Sequence, residues 1–297
     1  MPEFKQTMTG KVAIVTGATS GIGEVTSLRL AEMGATLVMI GRDREKSDRI
    51  ANEIRKKTGN TKVVYLVGDL STQKDIRRLV DEFKSHFSRL DVLVNNAGAV
   101  FFSRRESADG IELTFGLNHL NYFLLTNLLL DTLVASAPAR IVNVSSAAHQ
   151  GARLNFADLE NKKGYNGMRA YGQSKLDNLL FTYELARRLE GTGVTANAMH
   201  PGFVASNFAK NNLGILKPLI SLIQIGAISP EEGAQSSLYL ATSPEVEGVS
   251  GKYFIHKKAV TSSPASYEEE AARRLWEISE KLTGLSARAL AGPLPPG

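Results

Sequence analysis

A tyrosine and a lysine stand four positions apart in the segment AYGQSKL, residues 170–176. If the segment is helical, Tyr171 and Lys175 lie on one face, because four helical residues rise about 6 Å and complete about one turn. A free phenol has a pKa of about 10, too high for efficient proton exchange at neutral pH. A neighbouring ammonium favours the phenolate and lowers that pKa. The pair therefore predicts acid–base chemistry by Tyr171; the alternative is an exposed helical pair without chemistry.

The same spacing recurs at Tyr253 and Lys257, so the spacing alone does not select a pair. Those two residues lie in or just beyond a predicted strand, where four residues span roughly 13 Å and the side chains cannot meet. We therefore predict that Tyr253 is a packing residue. Tyr165 is a weaker rival, since the residue four positions on is Arg169.

The composition limits the classes of protein and of site. Of 297 residues, 43% are hydrophobic and 22% are charged, which is ordinary for a globular protein. The absence of cysteine excludes disulfides and thiol catalysis, and five scattered histidines predict no metal site. The net charge of +5 follows no basic stripe, so we expect no nucleic-acid partner. Without a signal-peptide core or an apolar run of about 20 residues, we expect no transmembrane segment and a cytoplasmic protein.

Short apolar runs alternate with longer helical patterns along the chain. The runs are apolar throughout, which indicates burial on both faces and hence a parallel sheet. The alternation predicts an α/β fold, a single doubly wound parallel sheet of Rossmann type with helices on both faces. The predicted strands are VAIVTG (12–17), TLVMIG (36–41), VVYLVGD (63–69), DVLVNNAG (from 91), RIVNVSS (from 140), VTANAMHPG (from 194) and, as the last, KYFIH (about 253–256).

We predict one domain over residues 1–297. Within it, the Leu- and Ile-rich segment 203–228 is predicted to be a substrate lid, with an ordinary packed helix as the alternative. Residues 264–284 predict an amphipathic C-terminal helix, and 285–297 a loose tail. The apolar stripe of that helix comprises Tyr267, Ala271, Leu275, Ile278 and Leu282.

The segment TGATSGIG, residues 16–23, joins the first strand to the first helix and predicts a dinucleotide-binding turn. Its three glycines allow a tight turn and a close backbone approach, and the helix N-terminus behind them attracts a pyrophosphate. The spacing G-x-x-x-G-x-G differs from the common G-x-G-x-x-G pattern, and the alternative is a plain turn.

The end of the second strand predicts which dinucleotide binds. A carboxylate there would bind the adenosine ribose and favour NAD. This chain has Gly41 followed by Arg42, and a guanidinium suits a 2′-phosphate. We therefore predict NADP(H) as the cofactor. The adjacent carboxylate of Asp43 weakens this prediction, and the alternative is that Arg42 is an exposed loop residue without a ligand.

With these residues, the chain resembles the short-chain dehydrogenase/reductase family over about residues 10–256. The motifs occur in the family's order, and more narrowly the chain looks like retinol-dehydrogenase-type members. The matching motifs are TGATSGIG, GDL (68–70), NNAG (95–98), Asn118, VNVSS (142–146), YGQSK (171–175) and HPG (200–202).

The resemblance implies a catalytic tetrad of Asn118, Ser146, Tyr171 and Lys175. Ser146 would polarise the substrate oxygen, Lys175 would reach the nicotinamide ribose, and Asn118 would hold a relay water. With the glycine turn and Arg42, the predicted cofactor residues are Gly17, Thr19, Ser20, Gly21, Ile22, Gly23, Arg42, Asp69, Leu70, Asn95, Ala97, Gly98, Tyr171, Lys175, Pro201, Gly202, Val204 and Ser206.

Three further residues near these motifs are predicted to be structural. Consecutive strand residues face opposite ways, so Ser145 points away from the cleft if Ser146 points into it. His149 and His200 are predicted to be hydrogen-bonded walls rather than acid–base groups, because tyrosine already fills that role.

These observations predict an NADP(H)-dependent oxidoreductase, of the retinol dehydrogenase or carbonyl reductase type, that interconverts a lipophilic aldehyde or ketone and its alcohol. The alternatives are a non-catalytic dinucleotide-binding regulator and a double-bond reductase on the same fold. The apolar helical segments 120–134 and 171–185 could pair between subunits, so we expect a homodimer or homotetramer.

Overall fold

The computed structural model describes residues 7–202 and 228–285, and its centre is one eight-stranded sheet. The strand order is β3-β2-β1-β4-β5-β6-β7-β8, and the strands from β3 to β7 are parallel. The chain therefore reverses its direction of winding between β1 and β4, where such folds bind dinucleotides. The strands are β1 Val12–Thr16, β2 Thr36–Gly41, β3 Val63–Val67, β4 Val92–Asn95, β5 Ala139–Val144, β6 Val194–His200, β7 Tyr253–Ile255 and β8 Lys258–Val260.

Helices cover both faces of the sheet, which confirms the predicted doubly wound fold. Helices α1, α2 and α7 pack on one face, and α3, α5 and α6 pack on the other. Strands β1 and β4 are buried along their whole length, as their apolar sequences predict. The helices are α1 Gly21–Glu32, α2 Arg44–Thr58, α3 Gln73–His86, α4 Leu113–Phe115, α5 Asn121–Ala135, α6 Gly167–Arg188, α7 Pro230–Thr242 and α8 Glu269–Thr283, with a π-helical turn at Gly116–Leu120.

The prediction that KYFIH is the last strand is wrong. Strand β8 pairs with β7 antiparallel through a two-residue turn. The turn residues His256 and Lys257 have positive φ angles of 49° and 64°. Hairpins prefer this left-handed turn because it matches the twist of the strands, but glycine or asparagine usually signals it, and this turn has neither.

The C-terminal helix α8 begins later than predicted and buries a different stripe. A 3₁₀ turn at Pro264–Tyr267 precedes it, and Gly284 ends it with a φ of 61°. Tyr267 is half exposed, whereas Trp276 is buried. The fully buried positions of α8 are Ala272, Leu275, Trp276, Ser279 and Thr283, while Ala271, Ile278 and Leu282 are partly buried at the edge. The stripe is thus rotated by about one residue, because the tryptophan is the side chain that inserts.

Trp276 fastens α8 to the helices on one face of the sheet. Its ring centroid lies 4.9 Å from that of Phe123 on α5 and 5.7 Å from that of Phe181 on α6. The guanidinium of Arg188 also lies over the ring, 4.2 Å from its centroid. Helix α8 therefore covers part of the apolar surface that prompted the prediction of subunit pairing, and the homodimer or homotetramer stays a prediction.

Replacing Trp276 with alanine is expected to lower the free energy of unfolding by about 3 kcal/mol or more, because it leaves a cavity among aromatic rings. Urea unfolding followed by circular dichroism measures this effect. Tryptophan fluorescence cannot, because the substitution removes the chain's only tryptophan. Met168→Ala is the matched control: that side chain is 57% exposed, and its loss should cost less than about 0.5 kcal/mol. Equal effects of the two substitutions would contradict the assigned packing.

Candidate active site

The turn between β1 and α1 has the shape and polarity to hold an anion. Gly17 and Gly21 have positive φ angles of 63° and 55°, which favour glycine. A Cβ at Gly23 would overlap the carbonyl oxygen of Gly17. Ser20 precedes α1, and within the described residues its side chain accepts no hydrogen bond from the helix. The first N–H groups of α1 are therefore left for a ligand such as a pyrophosphate.

The segment NNAG after β4 is fastened to this turn by two residues that the sequence analysis did not single out. The side chain of Asn96 donates to the carbonyl oxygen of Thr16 at 2.8 Å. The hydroxyl of Thr16 accepts from the backbone N–H groups of Asn96 and Ala97 at 2.8 and 2.9 Å. The motif NNAG contained the signal for Asn96, but only the topology places it beside β1.

The end of β2 lies beside the same turn. A Cβ at Gly41 would lie 2.9 Å from the methyl carbon of Thr19, so the backbone of β2 approaches the turn closely. Arg42 follows and is exposed. Asp43 caps α2, where its carboxylate accepts from the N–H of Lys46 at 2.9 Å. The helix therefore accounts for the carboxylate that stood against an NADP(H) prediction.

Three further predicted cofactor residues, Asp69, Leu70 and Asn95, differ in their exposure and in their hydrogen bonds. Asp69 is exposed and accepts from the N–H and hydroxyl of Ser71 at 2.9 and 2.8 Å. Leu70 is buried. Asn95 is fully buried, and its amide donates to Thr126 and Asn143 at 2.9 Å, so its side chain does not line the groove.

The chain after β6 leaves the sheet at Pro201 and Gly202, which are partly exposed. Gly202 has a φ of 91°. Val204, Ser206 and all but the last residue of the predicted lid 203–228 lie outside the described residues, as does 286–297 of the predicted tail.

Tyr171 and Lys175 lie on one face of α6, as their spacing predicts. The Nζ of Lys175 lies 5.6 Å from the centroid of the Tyr171 ring and donates to the carbonyl oxygen of Val144 at 3.0 Å. Lys175 is only 3% exposed. The hydroxyl of Ser146 lies near that of Tyr171 and acts to lower the pKa of the phenol. Ser145 instead donates to the carbonyl oxygen of Lys175 at 2.8 Å, so it serves the backbone.

Asn118 lies in the π-helical turn, and its side chain lies near Gly98 and Lys175. Its Oδ1 accepts from the N–H of Ala99 at 2.9 Å, and its Nδ2 donates to the carbonyl oxygen of Ala99 at 2.9 Å. Nδ2 also reaches Ser174 at 3.0 Å. A Cβ at Gly98 would lie 3.1 Å from Oδ1 of Asn118 and 3.6 Å from Nζ of Lys175. The structure thus brings all four residues of the predicted tetrad together.

The expected lowering of the Tyr171 pKa is wrong for the protein by itself. Burial raises the pKa of Tyr171 to about 12, and the hydrogen bond from Ser146 opposes the rise only in part. Burial also lowers the pKa of Lys175 to about 7, so this amine is only partly charged at neutral pH. The sequence argument counted the neighbouring charge but not the loss of hydration that both groups suffer on α6.

The two histidines near the site are hydrogen-bonded to backbone. Nδ1 of His149 lies 2.6 Å from the carbonyl oxygen of Ser146, and Nε2 accepts from the N–H of Ser263 at 3.1 Å. Nδ1 of His200 accepts from the N–H of Ala147 at 3.2 Å. Burial lowers the pKa of both, that of His200 to about 4. Both histidines are therefore neutral parts of the wall.

Residues 7–202 and 228–285 contain neither a candidate metal-ion cluster nor a helix that could span a membrane. No cluster of three or more His, Asp or Glu side chains there could hold a metal ion. None of the helices in those ranges combines the length and the apolar character that crossing a membrane requires.

Comparisons with known proteins agree with this geometry. A family profile described as short chain dehydrogenase matches residues 11–213. Retinol dehydrogenase 13 of Homo sapiens is 45% identical over 299 residues, which cover 98% of this chain and 90% of that protein. Retinol dehydrogenase 14 of Homo sapiens is 43% identical over 294 residues, which cover 94% of this chain and 88% of the relative.

Solved structures share the fold. A crystal structure of an uncharacterized protein from Mycobacterium paratuberculosis is 33% identical, has a TM-score of 0.75 and covers 93% of this chain and 94% of its own. The NADP active-site complex of Pseudomonas aeruginosa RhlG is 29% identical, has a TM-score of 0.67 and covers 86% of this chain and 96% of its own.

Proposed function

Since the chain belongs to the short-chain dehydrogenase family, and is thereby an oxidoreductase with a nicotinamide dinucleotide cofactor, we propose that it is an NADP(H)-dependent enzyme that interconverts a lipophilic aldehyde or ketone and its alcohol. The observation that carries the proposal is the approach of the buried Lys175 amine to the ring of Tyr171, one helical turn away, with Asn118 and the amine both near Gly98. This group lies beyond the carboxyl end of β5, on the same edge of the sheet as the glycine turn.

Each residue of the group has a part in the reaction. The nicotinamide, when bound, supplies or accepts the hydride. Tyr171 is protonated at neutral pH, so in the direction of reduction its phenol donates the proton that the developing alkoxide requires. Ser146 donates a hydrogen bond to the carbonyl oxygen of the substrate and polarises it. Lys175, once charged, favours the phenolate that remains on Tyr171 and reaches towards the ribose hydroxyls of the cofactor.

A lipophilic substrate is supported by exposed apolar side chains at and beside the N-terminus of α6. Met168 and Phe102 are 57% and 48% exposed. The Cα of Phe102 would lie 2.8 Å from a Cβ at Gly167, so these residues adjoin the end of the helix that carries Tyr171. The two human relatives are named for retinol, an apolar alcohol.

A turnover assay tests the function. The protein is mixed with NADPH and all-trans-retinal, decanal or a steroid ketone, and the products are separated by chromatography. The proposal expects the alcohol. A saturated carbonyl product would instead show a double-bond reductase. Binding of NADPH without turnover on any substrate of the panel would favour the non-catalytic regulator.

The preference for NADP(H) is proposed to depend on Arg42. Replacing Arg42 with alanine is expected to lower the ratio of kcat/KM for NADPH to that for NADH by about 10- to 100-fold, because a charge-assisted hydrogen bond contributes about 1.5–3 kcal/mol. Arg49→Ala is the control, since Arg49 pairs with Glu53 on the exposed side of α2. An unchanged ratio in the Arg42 variant would contradict the proposed contact.

A further inference from the structure

The catalytic serine stands where the chain leaves the sheet. The N–H of Ser145 donates to the carbonyl oxygen of Met199 at 2.8 Å, at the end of the ladder between β5 and β6. Ser146 follows, and a 3₁₀ turn at Ala147–His149 begins directly after it. The sheet therefore fixes the residue before Ser146. The turn holds Ser146 by two bonds of 3.2 Å, from the N–H of Ala148 to its hydroxyl and from the N–H of His149 to its carbonyl oxygen, and the same carbonyl oxygen can accept a further contact from a side chain.

The side chain of His149 supplies such a contact. The ring is fully buried and packs edge-on against Tyr253, with the centroids 5.1 Å apart. Nε2 lies 3.1 Å from the backbone N–H of Ser263, which can only donate, so Nε2 accepts. Nδ1 must then carry the proton of the neutral ring, and it donates to the carbonyl oxygen of Ser146 at 2.6 Å. The imidazole thus joins the catalytic turn to the segment before α8.

The segment before α8, residues 262–266, is itself held by hydrogen bonds between side-chain hydroxyls. The hydroxyl of Ser262 lies 2.7 Å from that of Tyr183 on α6 and 2.6 Å from that of Ser266. The hydroxyl of Ser266 also donates to the carbonyl oxygen of Ser263 at 2.6 Å. Tyr183 lies three turns along the helix that carries Tyr171. The anchor at Ser263 and the proton donor therefore belong to one connected framework.

We propose that His149 is a positioning residue that holds Ser146 in place beside Tyr171, with residues 262–266 as its anchor. The inference rests on the proposed function, because His149 would affect the reaction only through Ser146 and Tyr171. It also gives the C-terminal segment a part in the site, although that segment lies outside the alternating β–α core.

Two substitutions separate the two hydrogen bonds of the ring. In His149→Asn, the amide nitrogen takes the place of Nδ1 and can still donate to Ser146. In His149→Gln, the amide oxygen takes the place of Nε2 and can accept only from Ser263. We expect kcat of the Gln variant to fall by about 10- to 100-fold, because a misplacement of about 1 Å near the reacting groups has that effect. The Asn variant should keep kcat within about 3-fold of the wild type, and KM for NADPH should stay unchanged in both.

The outcomes of this experiment are distinct. An equal loss of kcat in the two variants, or a loss in neither, overturns the positioning role. Thermal unfolding of both variants shows whether an equal loss of kcat is caused by a lower stability of the fold. Two-bond ¹H–¹⁵N NMR of the wild type reads the tautomer of His149 without any turnover, and a proton on Nε2 would also overturn it. A wild type that turns over no carbonyl, yet shows the Nδ1 proton, refutes the proposed function and not the geometry.

Discussion

Replacing Tyr171 with phenylalanine is expected to lower kcat by about 10³-fold, with KM for NADPH within a few-fold of the wild type. The substitution removes one oxygen atom, and with it the proton donor and the partner of Ser146. Phenylalanine keeps the ring and its packing, so the variant should fold and bind the cofactor. Steady-state kinetics with NADPH and the best aldehyde of the panel, together with NADPH titration by fluorescence, measure both effects.

The control is Tyr239→Phe on α7, which loses a single phenol hydrogen bond to Glu245. That bond is distant from the site, and kcat should stay within about 2-fold. A Tyr171→Phe variant that retains more than a tenth of the wild-type kcat would remove the proposed mechanism. Such activity would mean that another group or a water molecule provides the proton.

Replacing Lys175 with methionine is expected to lower kcat by about 10³-fold, since acid–base assistance of that size depends on this amine. Methionine has a similar length and no charge, so it fills the same buried space between Val144 and Tyr171. The kinetic loss is measured as for Tyr171, and the control is Lys57→Met, an exposed lysine on α2. A Lys175→Met variant with near-normal kcat would show that the phenol needs no help from the lysine.

Although Lys175→Met should lower kcat, it should raise the stability of the fold, by an amount that depends on pH. Burial lowers the pKa of Lys175 from 10.5 to about 7, so the folded protein binds this proton less tightly than the unfolded chain. Below pH 7 both states are protonated, and the folded state bears the full cost of a buried ammonium, a few kcal/mol. Between about pH 7 and 10.5 the folded state loses the proton and the cost declines; above 10.5 it is absent.

We therefore expect Lys175→Met to be more stable than the wild type at pH 6, and expect the difference to shrink as the pH rises towards 10. Urea unfolding of both proteins without dinucleotide at several pH values measures it. A variant that is less stable at pH 6 would mean that the hydrogen bond from Nζ to Val144 outweighs the cost of burial. A difference independent of pH would contradict the lowered pKa.

The local patterns of this chain predicted much of the fold. Parallel strands buried on both faces are apolar at most positions, so the strands from β1 to β6 were readable one by one. The hairpin of β7 and β8 was not, because His256 and Lys257 adopt left-handed conformations without glycine. The buried face of α8 was misread for a similar reason: which side of a helix is buried depends on its neighbours, here Phe123 and Phe181.

For the site, the sequence by itself determined the residue types and their order: a glycine turn, NNAG, Asn118, Ser146, and Tyr171 with Lys175. A helical spacing of four fixes one contact, because it follows from the repeat of the helix. The tertiary structure alone decided the contacts between distant segments, such as Asn96 with Thr16, and His149 with Ser263. It also decided the protonation of Tyr171 and Lys175, because a pKa depends on how much water the fold excludes from a group, and no motif records that.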